Sequence, residues 1–542
     1  MKTSKLLYAF AITFSLALTG CGDFLDITPN DRITGDNFYQ NEDDIKASTA
    51  SLYNKVWFDF NDKFYFGLGD GRSYNLYAPY SDYIYPFSDL AETGLTGPLV
   101  SAWQSLYIVI QQSNKVIIDI TGSSINESVK NPYIAEARFM RGVAYWYLAS
   151  LWGNVVISED PGKLISNPIV HTNPRTNVFE FVMRDLEYAA KYLPETAGQA
   201  GRLTKYSAYG MLSRVYLSYA GLSDNPNSHT RNQTYLDLAK KAAKTVITES
   251  KYKLLPDYAS LFMIENNNNP ESLFALQWVP NGDYGVTNTH QAYFAYNSLI
   301  TGDDAAWGSW TRATYDVLQE YEAKDLRRKA TWMSKGDYYP EISKAAGGLT
   351  VDESDQYCNV KKGVVGSTKD NPSISRMNSA LNTYMMRLAE VYLIYAEAAL
   401  GNDASTTDAE ALDYFNQVRT RAGLDAKTSL AYNDIIHERR VELCMEGQYW
   451  YDLVRRAYYE QQEVMNYINS QHRETIQPIL YDTATNTVSI DSSRDPSDRA
   501  IGNINEGIFL LPYPESELVQ NPLLKEPPVS YEFTEERITD LF

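Results

Sequence analysis

Between residues 99 and 250 the chain repeats one pattern: apolar side chains at i, i+4 and i+8, polar ones between them, then a short break. This spacing predicts helices over 99–120, 131–153, 177–194, 204–221 and 234–250. In the second, Phe139, Val143 and Tyr147 make one row and Met140, Ala144 and Leu148 the row beside it, a broad apolar face. Pro132 suits a first helical turn and Gly153 an exit. A helix is also predicted from 41 to 58, capped at Asn41 and acidic in its first turn. The pattern returns over 381–400, where Leu388, Val391, Tyr392, Tyr395 and Ala399 make the stripe, and over 407–424 and 432–457. Several of these are pairs joined by short linkers, with Ala, Gly and Ser where helices must approach. Such pairs cannot bury their faces alone, and they stack as tetratricopeptide arrays do.

The expected fold is mostly α, a tetratricopeptide-like helical repeat scaffold with long irregular, aromatic-rich insertions. The scaffold occupies about 41–60, 99–250 and 381–457, within a single domain from 41 to 542. Loop-rich, ligand-facing insertions occupy about 61–98, 252–378 and 458–542, with strand-like pieces such as "ESLFALQWV" (271–279). Loops this long are functional or disordered, and these are too aromatic for disorder. In "SYNLYAPYSDYIYPF" (73–87), Pro79 and Pro86 count against a central strand.

Composition sharpens this picture. The 542 residues are 44% hydrophobic, which is globular, and 43 tyrosines stand against 19 phenylalanines and 9 tryptophans. Tyrosine joins a flat apolar face to a hydroxyl and suits surfaces that are partly wet. A formal charge of −20 argues against nucleic acid, which needs clustered Lys and Arg. It fits a soluble or surface-displayed protein with neutral or cationic partners.

Three cysteines are present. "MKTSKLLYAFAITFSLALTGC" has a basic start, an apolar run and small residues before Cys21, and reads as a secretory signal over 1–20. Leu18-Thr19-Gly20-Cys21 resembles a bacterial lipobox, in which Cys21 becomes the lipidated first residue of a tether over 21–40. Acyl chains then hold the protein at a membrane. Cys358 and Cys444 make one candidate pair, which is not a disulfide framework. Cys444, inside an apolar helical pattern, reads as a small buried hydrophobe. No later segment is apolar enough to span a bilayer.

Catalytic and metal motifs are absent or incomplete. "HERRVE" at His437 lacks the second histidine of a zinc helix, because position 441 is Val. The five histidines have no ligand spacing, so no metal or other cofactor is expected. "GLGDGR" (67–72) is neither a phosphate loop nor a dinucleotide fingerprint, and no G-x-S-x-G elbow occurs. "DSSRDPSDR" (491–499) offers oxygens to a structural Ca²⁺ but lacks the EF-hand spacing, and reads as an acidic surface loop. Among 68 acidic residues some carboxylates will always pair, so glycoside hydrolysis has no specific support.

The aromatic loops carry the chemistry. A sugar exposes C–H patches on a ring face and hydroxyls around its rim, so its site combines Trp or Tyr faces with planar hydrogen-bonding groups. The candidate glycan contacts are Asp70, Arg72, Tyr74, Asn75 and Tyr77, then Tyr83, Tyr284, Tyr296, Trp307 and Trp310. For any one ring, packing on the scaffold is the simpler role; for the set, several ligand-facing rings are expected.

Six ordered stretches resemble the SusD/RagB-like outer-membrane lipoproteins of Bacteroidetes. "AEARFMRGVAYWYLASLWGNV" (135–155) is similar to that family's A-E-A-R-F helix, and "GRLTKYSAYGMLSRVYLSYAG" (201–221) to its G-R-x-T stretch. "RLAEVYLIYAEAAL" (387–400), "FNQVRTRAGL" (415–424), "IIHERRVELCMEGQYWYDLVR" (435–455) and "FLLPYPESELVQNPLL" (509–524) follow the family's later motifs. Tyr449 and Tyr513 depart from the usual residues, and the closing motif is degraded. Arg138, Arg141, Glu397, Arg419, Arg421, Glu438 and Arg439 are expected to form structural ion networks, because a charge on an amphipathic helix needs a partner or solvent.

The resemblance implies a binding protein without enzymatic activity, lipid-anchored in the outer membrane and facing the exterior. It implies a lid on a TonB-dependent SusC-like transporter that captures oligo- or polysaccharide and delivers it to the channel. A second reading keeps the fold and lid role with peptide as cargo, and a third makes the chain a surface glycosidase.

Overall fold

A computed structural model describes residues 39, 41–302, 306–374 and 377–542. The signal segment, Cys21 and all of the tether but Tyr39 lie outside the described residues. The helical scaffold is built from Gly97–Gly122, Glu127–Leu151, Arg175–Tyr192, Lys205–Gly221 and Gln233–Glu249, each packed on its neighbour in sequence or on the next but one. The stack continues through Leu388–Leu400, which leans on the 233–249 helix, into Ala409–Arg421. One cluster of buried side chains runs through the whole stack, from Ile45 to Leu511.

Capping chemistry sets several ends. Asn41 accepts from the amides of Asp43 and Asp44 at 2.9 and 3.2 Å, and Asp44 answers back to the Asn41 amide. The helix it starts is shorter than its pattern: it stops at Ala50, and 3₁₀ turns at Ser51–Tyr53 and Lys55–Trp57 follow. The 131–153 helix begins earlier than expected, capped at Asn126, so Pro132 lies inside it.

Two sequences read as single helices are each divided. Residues 383–387 form a strand paired antiparallel with Ser272–Leu276, and the helix begins only at Leu388. The 432–457 segment breaks into Tyr432–Glu442 and Tyr449–Ala457. Between them Met445 and Gly447 take positive φ (61° and 66°), a conformation no helix continues through.

The largest correction falls on 61–72, the first part of the stretch 61–98 expected to be a ligand-facing loop. Phe60–Phe64 and Gly67–Arg72 are wide helical turns of the i→i+5 kind, buried among the scaffold helices, and the Tyr65 amide donates to the Phe60 carbonyl. Residues 458–542 also hold a helix, Gln461–Ser470, and a hairpin, Ile479–Asp482 with Thr487–Ile490. Four two-residue strands make a small sheet in the order 76–77, 312–313, 359–360, 332–333.

Many tyrosines are internal staples. The Tyr65 hydroxyl sits between the carbonyls of Tyr384 and Glu446 (2.8 and 2.5 Å), and Tyr258 donates to the Glu442 carbonyl at 2.7 Å. Each hydroxyl satisfies a buried carbonyl hundreds of positions away or at a helix end, where a phenylalanine would leave it bare. The expected ion networks are present. Arg141 holds Asp185, Arg138 holds Glu535, and Glu397 receives Arg231 and Arg455. Arg419 reaches Glu322 and Glu438, Arg421 reaches Glu271 and Glu442, and Arg439 reaches Glu390 and Asp452. Cys358 and Cys444 are both buried free thiols, unpaired with one another.

Candidate ligand-binding face

The site begins in the interior. Phe60 and Phe64 are fully buried and lock the first wide turn into the core, while Lys63 between them reaches solvent. Asp62 becomes the hub of the surface above. Its carboxylate pairs with Lys63 at 2.5 Å, accepts from the Thr289 hydroxyl at 2.6 Å, and receives the hydroxyls of Tyr284 and Tyr293, each at 3.3 Å. Burial, then the Asp62 charge, pushes the Tyr284 phenol up to about 12 and that of Tyr293 higher still, so both remain proton donors.

His290 fixes the 287–294 loop on this turn. Its Nε2 lies 2.7 Å from the Asn61 carbonyl, which can only accept, so that nitrogen carries the proton. The imidazole stacks on Tyr65 at 5.8 Å, and burial pushes its pKa down to about 4, keeping it neutral. The next loop is clamped above: the Trp307 amide donates to Ala292 and the Gly308 amide to Ala295. Only glycine fits at 308, where a Cβ would lie 2.2 Å from the Phe294 carbonyl oxygen.

These contacts assemble a set of rings. Tyr83 meets Tyr293 at 4.9 Å, Tyr293 meets Trp307 at 5.6 Å, and Tyr284 rests edge-on against Phe58 at 4.7 Å. Further along the same two loops Tyr80 meets Trp310 at 4.9 Å. Tyr80, Tyr284, Trp307 and Trp310 are 75, 58, 46 and 46% exposed, while their neighbours Phe58 and Tyr293 are buried supports. Rings packed edge to face and left open to solvent form a fixed apolar face, with the Lys63 ammonium at its surface and the Asp62 carboxylate buried beneath it. Such a face can stack sugar rings and bond their hydroxyls.

Beside it, past Tyr80 and Trp310, opens a cleft of about 540 Å³ between the 76–77/312–313 strand pair and the 472–500 arm. Tyr77 lies on its wall. Tyr74 also borders the cleft, but its ring is covered by Arg473 and its hydroxyl donates to the His472 carbonyl at 2.6 Å.

The structure thus divides the ten sequence candidates. Tyr83, Tyr284 and Trp307 come together on the ring face, with Trp310 and Tyr77 at the adjoining cleft. Tyr296 is half-buried against the core, where burial and the charges of Asp355 and Asp352 raise its pKa to about 12. Asp70, Arg72 and Asn75 do not face a ligand; all three are interior. The Asp70 carboxylate accepts from the amides of Met445 and Gly447 and from Asn75, Arg72 is ion-paired with Glu92 under the Trp450 ring, and Asn75 accepts from Arg440. Their "GDGRSYN" stretch looks like a polar loop, yet the wide helical turn takes it inside. Asp62, Lys63 and the supporting role of Tyr293 went unrecognised, because nothing local marks "NDK" (61–63) as lying beneath residues 284–293.

A helical-repeat scaffold displaying fixed, solvent-open rings defines a ligand-binding protein. Comparison with known proteins places it more closely. The model of the SusD family matches residues 217–529, and a second family model, described as starch-binding associating with outer membrane, matches residues 84–217. A SusD-like protein of Bacteroides ovatus is 39% identical over 555 aligned positions, covering 99% of each chain. A solved structure described as a complex with xylogluco-oligosaccharide is 40% identical and superimposes with a TM-score of 0.85, over 91% of this chain and all of that one. A SusD superfamily protein from Parabacteroides distasonis, 22% identical, shares the fold with a TM-score of 0.70 over 91% of this chain and 99% of its own. This chain belongs to the SusD family. Among the described residues no helix is long and apolar enough to cross a membrane.

Proposed function

We propose that this protein is a cell-surface glycan-binding lipoprotein, anchored through Cys21, that captures oligo- or polysaccharide and delivers it to a TonB-dependent SusC-like outer-membrane transporter. It acts by binding, without bond cleavage. The observation that carries the reading is the pair of solvent-open rings Tyr284 and Trp307, with half-buried Tyr83 beside them, above the Asp62–Lys63 pair. Exposed apolar rings are costly unless something covers them, and a pyranose covers them while its hydroxyls meet the polar groups between. The relative solved with a xylogluco-oligosaccharide, 40% identical over 91% of this chain, makes that neutral glycan the first to try. Peptide cargo has no comparable support, because the exposed groups are ring faces and not an open strand edge.

The test is calorimetric titration of the protein starting after Cys21 against xylogluco-oligosaccharides, other plant and microbial glycans, and a peptide digest. Heat from one glycan class, with no new reducing ends, supports the reading. Heat from peptides alone, or steady release of reducing ends, overturns it. Delivery is tested separately, by co-purification with the transporter and by growth on the identified glycan after deletion.

A further inference from the structure

The cleft beside the ring face has a different chemical character. Its floor carries arginines, although the whole chain has a net charge of −20. Arg312, 8% exposed, is the cross-strand partner of Tyr77, and its guanidinium lies between the rings of Trp310 (4.7 Å) and Tyr357 (3.2 Å). The scaffold arginines 141, 214, 327, 387, 439 and 455 each hold a carboxylate. Arg312 forms no ion pair among the described residues; one amino group donates to the Ser309 carbonyl, and its buried Nε has no partner. Asp355, the carboxylate its charge reaches, is taken up instead by Asn359 and the Tyr357 amide.

Two neighbours strengthen the positive floor. Arg499 pairs with Asp89 but keeps a buried Nη1 without a partner among the described residues. Arg473, against the Tyr74 ring, is held among the described residues by neutral acceptors: the Gln471 side chain and the carbonyls of Ser88 and Arg72. Asp495 and Asp498, which line the cleft and have no ion pair among the described residues, are exposed at its rim, where water and salt screen them. A guanidinium fixed between two rings at the base of a recess is placed to attract an anionic oxygen.

We infer that this cleft is a second, separate binding site, for an acidic sugar: a uronate whose ring lies against the exposed Tyr80 and Trp310 and whose carboxylate meets Arg312. The site does not depend on which neutral glycan the Tyr83–Tyr284–Trp307 face takes. A chain bearing uronate branches would engage both, and two modest contacts on one polymer then act together.

The experiment titrates the protein starting after Cys21 with galacturonate, glucuronate and mannuronate oligomers, and with the same oligomers after their carboxyl groups are reduced to alcohols. At least one acidic oligomer is expected to bind about tenfold tighter than its reduced counterpart. That preference should shrink between about 50 and 200 mM salt and vanish in Arg312→Gln. It should persist in Tyr284→Ala, which alters only the ring face. Tyr80→Ala, at a 75% exposed position where folding is not at stake, should weaken the acidic oligomer about tenfold. The inference is overturned if no acidic oligomer outcompetes its reduced form, or if the preference survives in folded Arg312→Gln. Should Arg312→Gln not fold, the wild-type comparison and Tyr80→Ala still decide. Loss of neutral-glycan binding with uronate preference intact would sink only the ring-face proposal.

Discussion

The Tyr284 hydroxyl and the Asp62 carboxylate meet at 3.3 Å across 222 positions of sequence. That contact, with those of Thr289 and Tyr293 to the same carboxylate, ties the 284–293 segment to the buried wide turn as one rigid surface. A ligand that stacks on Tyr284 therefore loses little to ordering the ring, which is preorganised.

If so, Tyr83→Ala, Tyr284→Ala and Trp307→Ala should each weaken glycan binding about tenfold, with thermal midpoints close to wild type. Asp62→Asn should do the same through misplacement of rings it does not replace. Calorimetry paired with thermal melts checks this. Full affinity in all four variants would remove the ring face as the site.

Asp70 gives a pH signature. Burial pushes its carboxyl up to about 6 against hydrogen bonds from Asn75, Met445 and Gly447, whereas an unfolded Asp titrates near 3.9. Between those values the native state keeps a proton that the unfolded state has released. Its contribution is therefore full below about pH 4 and falls by about 3 kcal/mol as pH rises through 6. Asn at position 70 cannot ionise, so the stability of Asp70→Asn relative to wild type should climb by about that amount from pH 4 to 7. Parallel urea-denaturation curves across this range would show the assignment to be wrong.

Glu397 behaves in the opposite sense. Burial opposes its charge, but the guanidiniums of Arg455 and Arg231 prevail and hold its pKa down at about 2. Its contribution is complete above the unfolded value near 4.3 and is lost as pH falls toward 2. Glu397→Gln leaves buried Arg231 without a carboxylate and Arg455 with Asp452 alone, and should cost about 3–5 kcal/mol at neutral pH, with the deficit narrowing in acid. Denaturation at pH 7 and pH 3 measures both; an equal deficit at the two would refute the linkage.

The wide turn that carries Asp70 crosses the 443–448 break with almost no clearance. A Cβ on Gly69 would sit 2.3 Å from the Gly447 Cα, in backbone that cannot yield, and Gly447 itself has φ +66°. Gly69→Ala should lose about 3 kcal/mol or more, or fail to accumulate as soluble protein. Gly97→Ala, with nothing within 4 Å of its Cβ, serves as the neutral control. Equal stability of the two variants would mean the crossing is looser than it appears.

The helices from 97 to 249 were legible because their burial stripe is written within each element at the period of the helix. The same rule failed at 381–400, where the apolar run "LNTYMMR" pairs with Ser272–Leu276, over 100 positions away. It failed again at 445–447, where the break answers to the backbone of Gly69 and to Asp70. Of the ten candidate contacts, Tyr284, Trp307 and Trp310 stand open to solvent, whereas Asp70, Arg72 and Asn75 are interior. A ring is legible as a ring wherever it goes, whereas a carboxylate is a ligand contact or an internal tie according to what the fold sets beside it.

Within the chain alone, apolar periodicity, capping residues and six ordered motifs determined the helical scaffold and its family, since these depend on neighbours a few positions apart. Which rings stand in solvent, that Asp62 and not Asp70 lies beneath them, and that Arg312 has no carboxylate partner among the described residues were decided only by tertiary structure. Exposure and charge pairing are properties of surfaces brought together from distant segments, and no local stretch of sequence contains them.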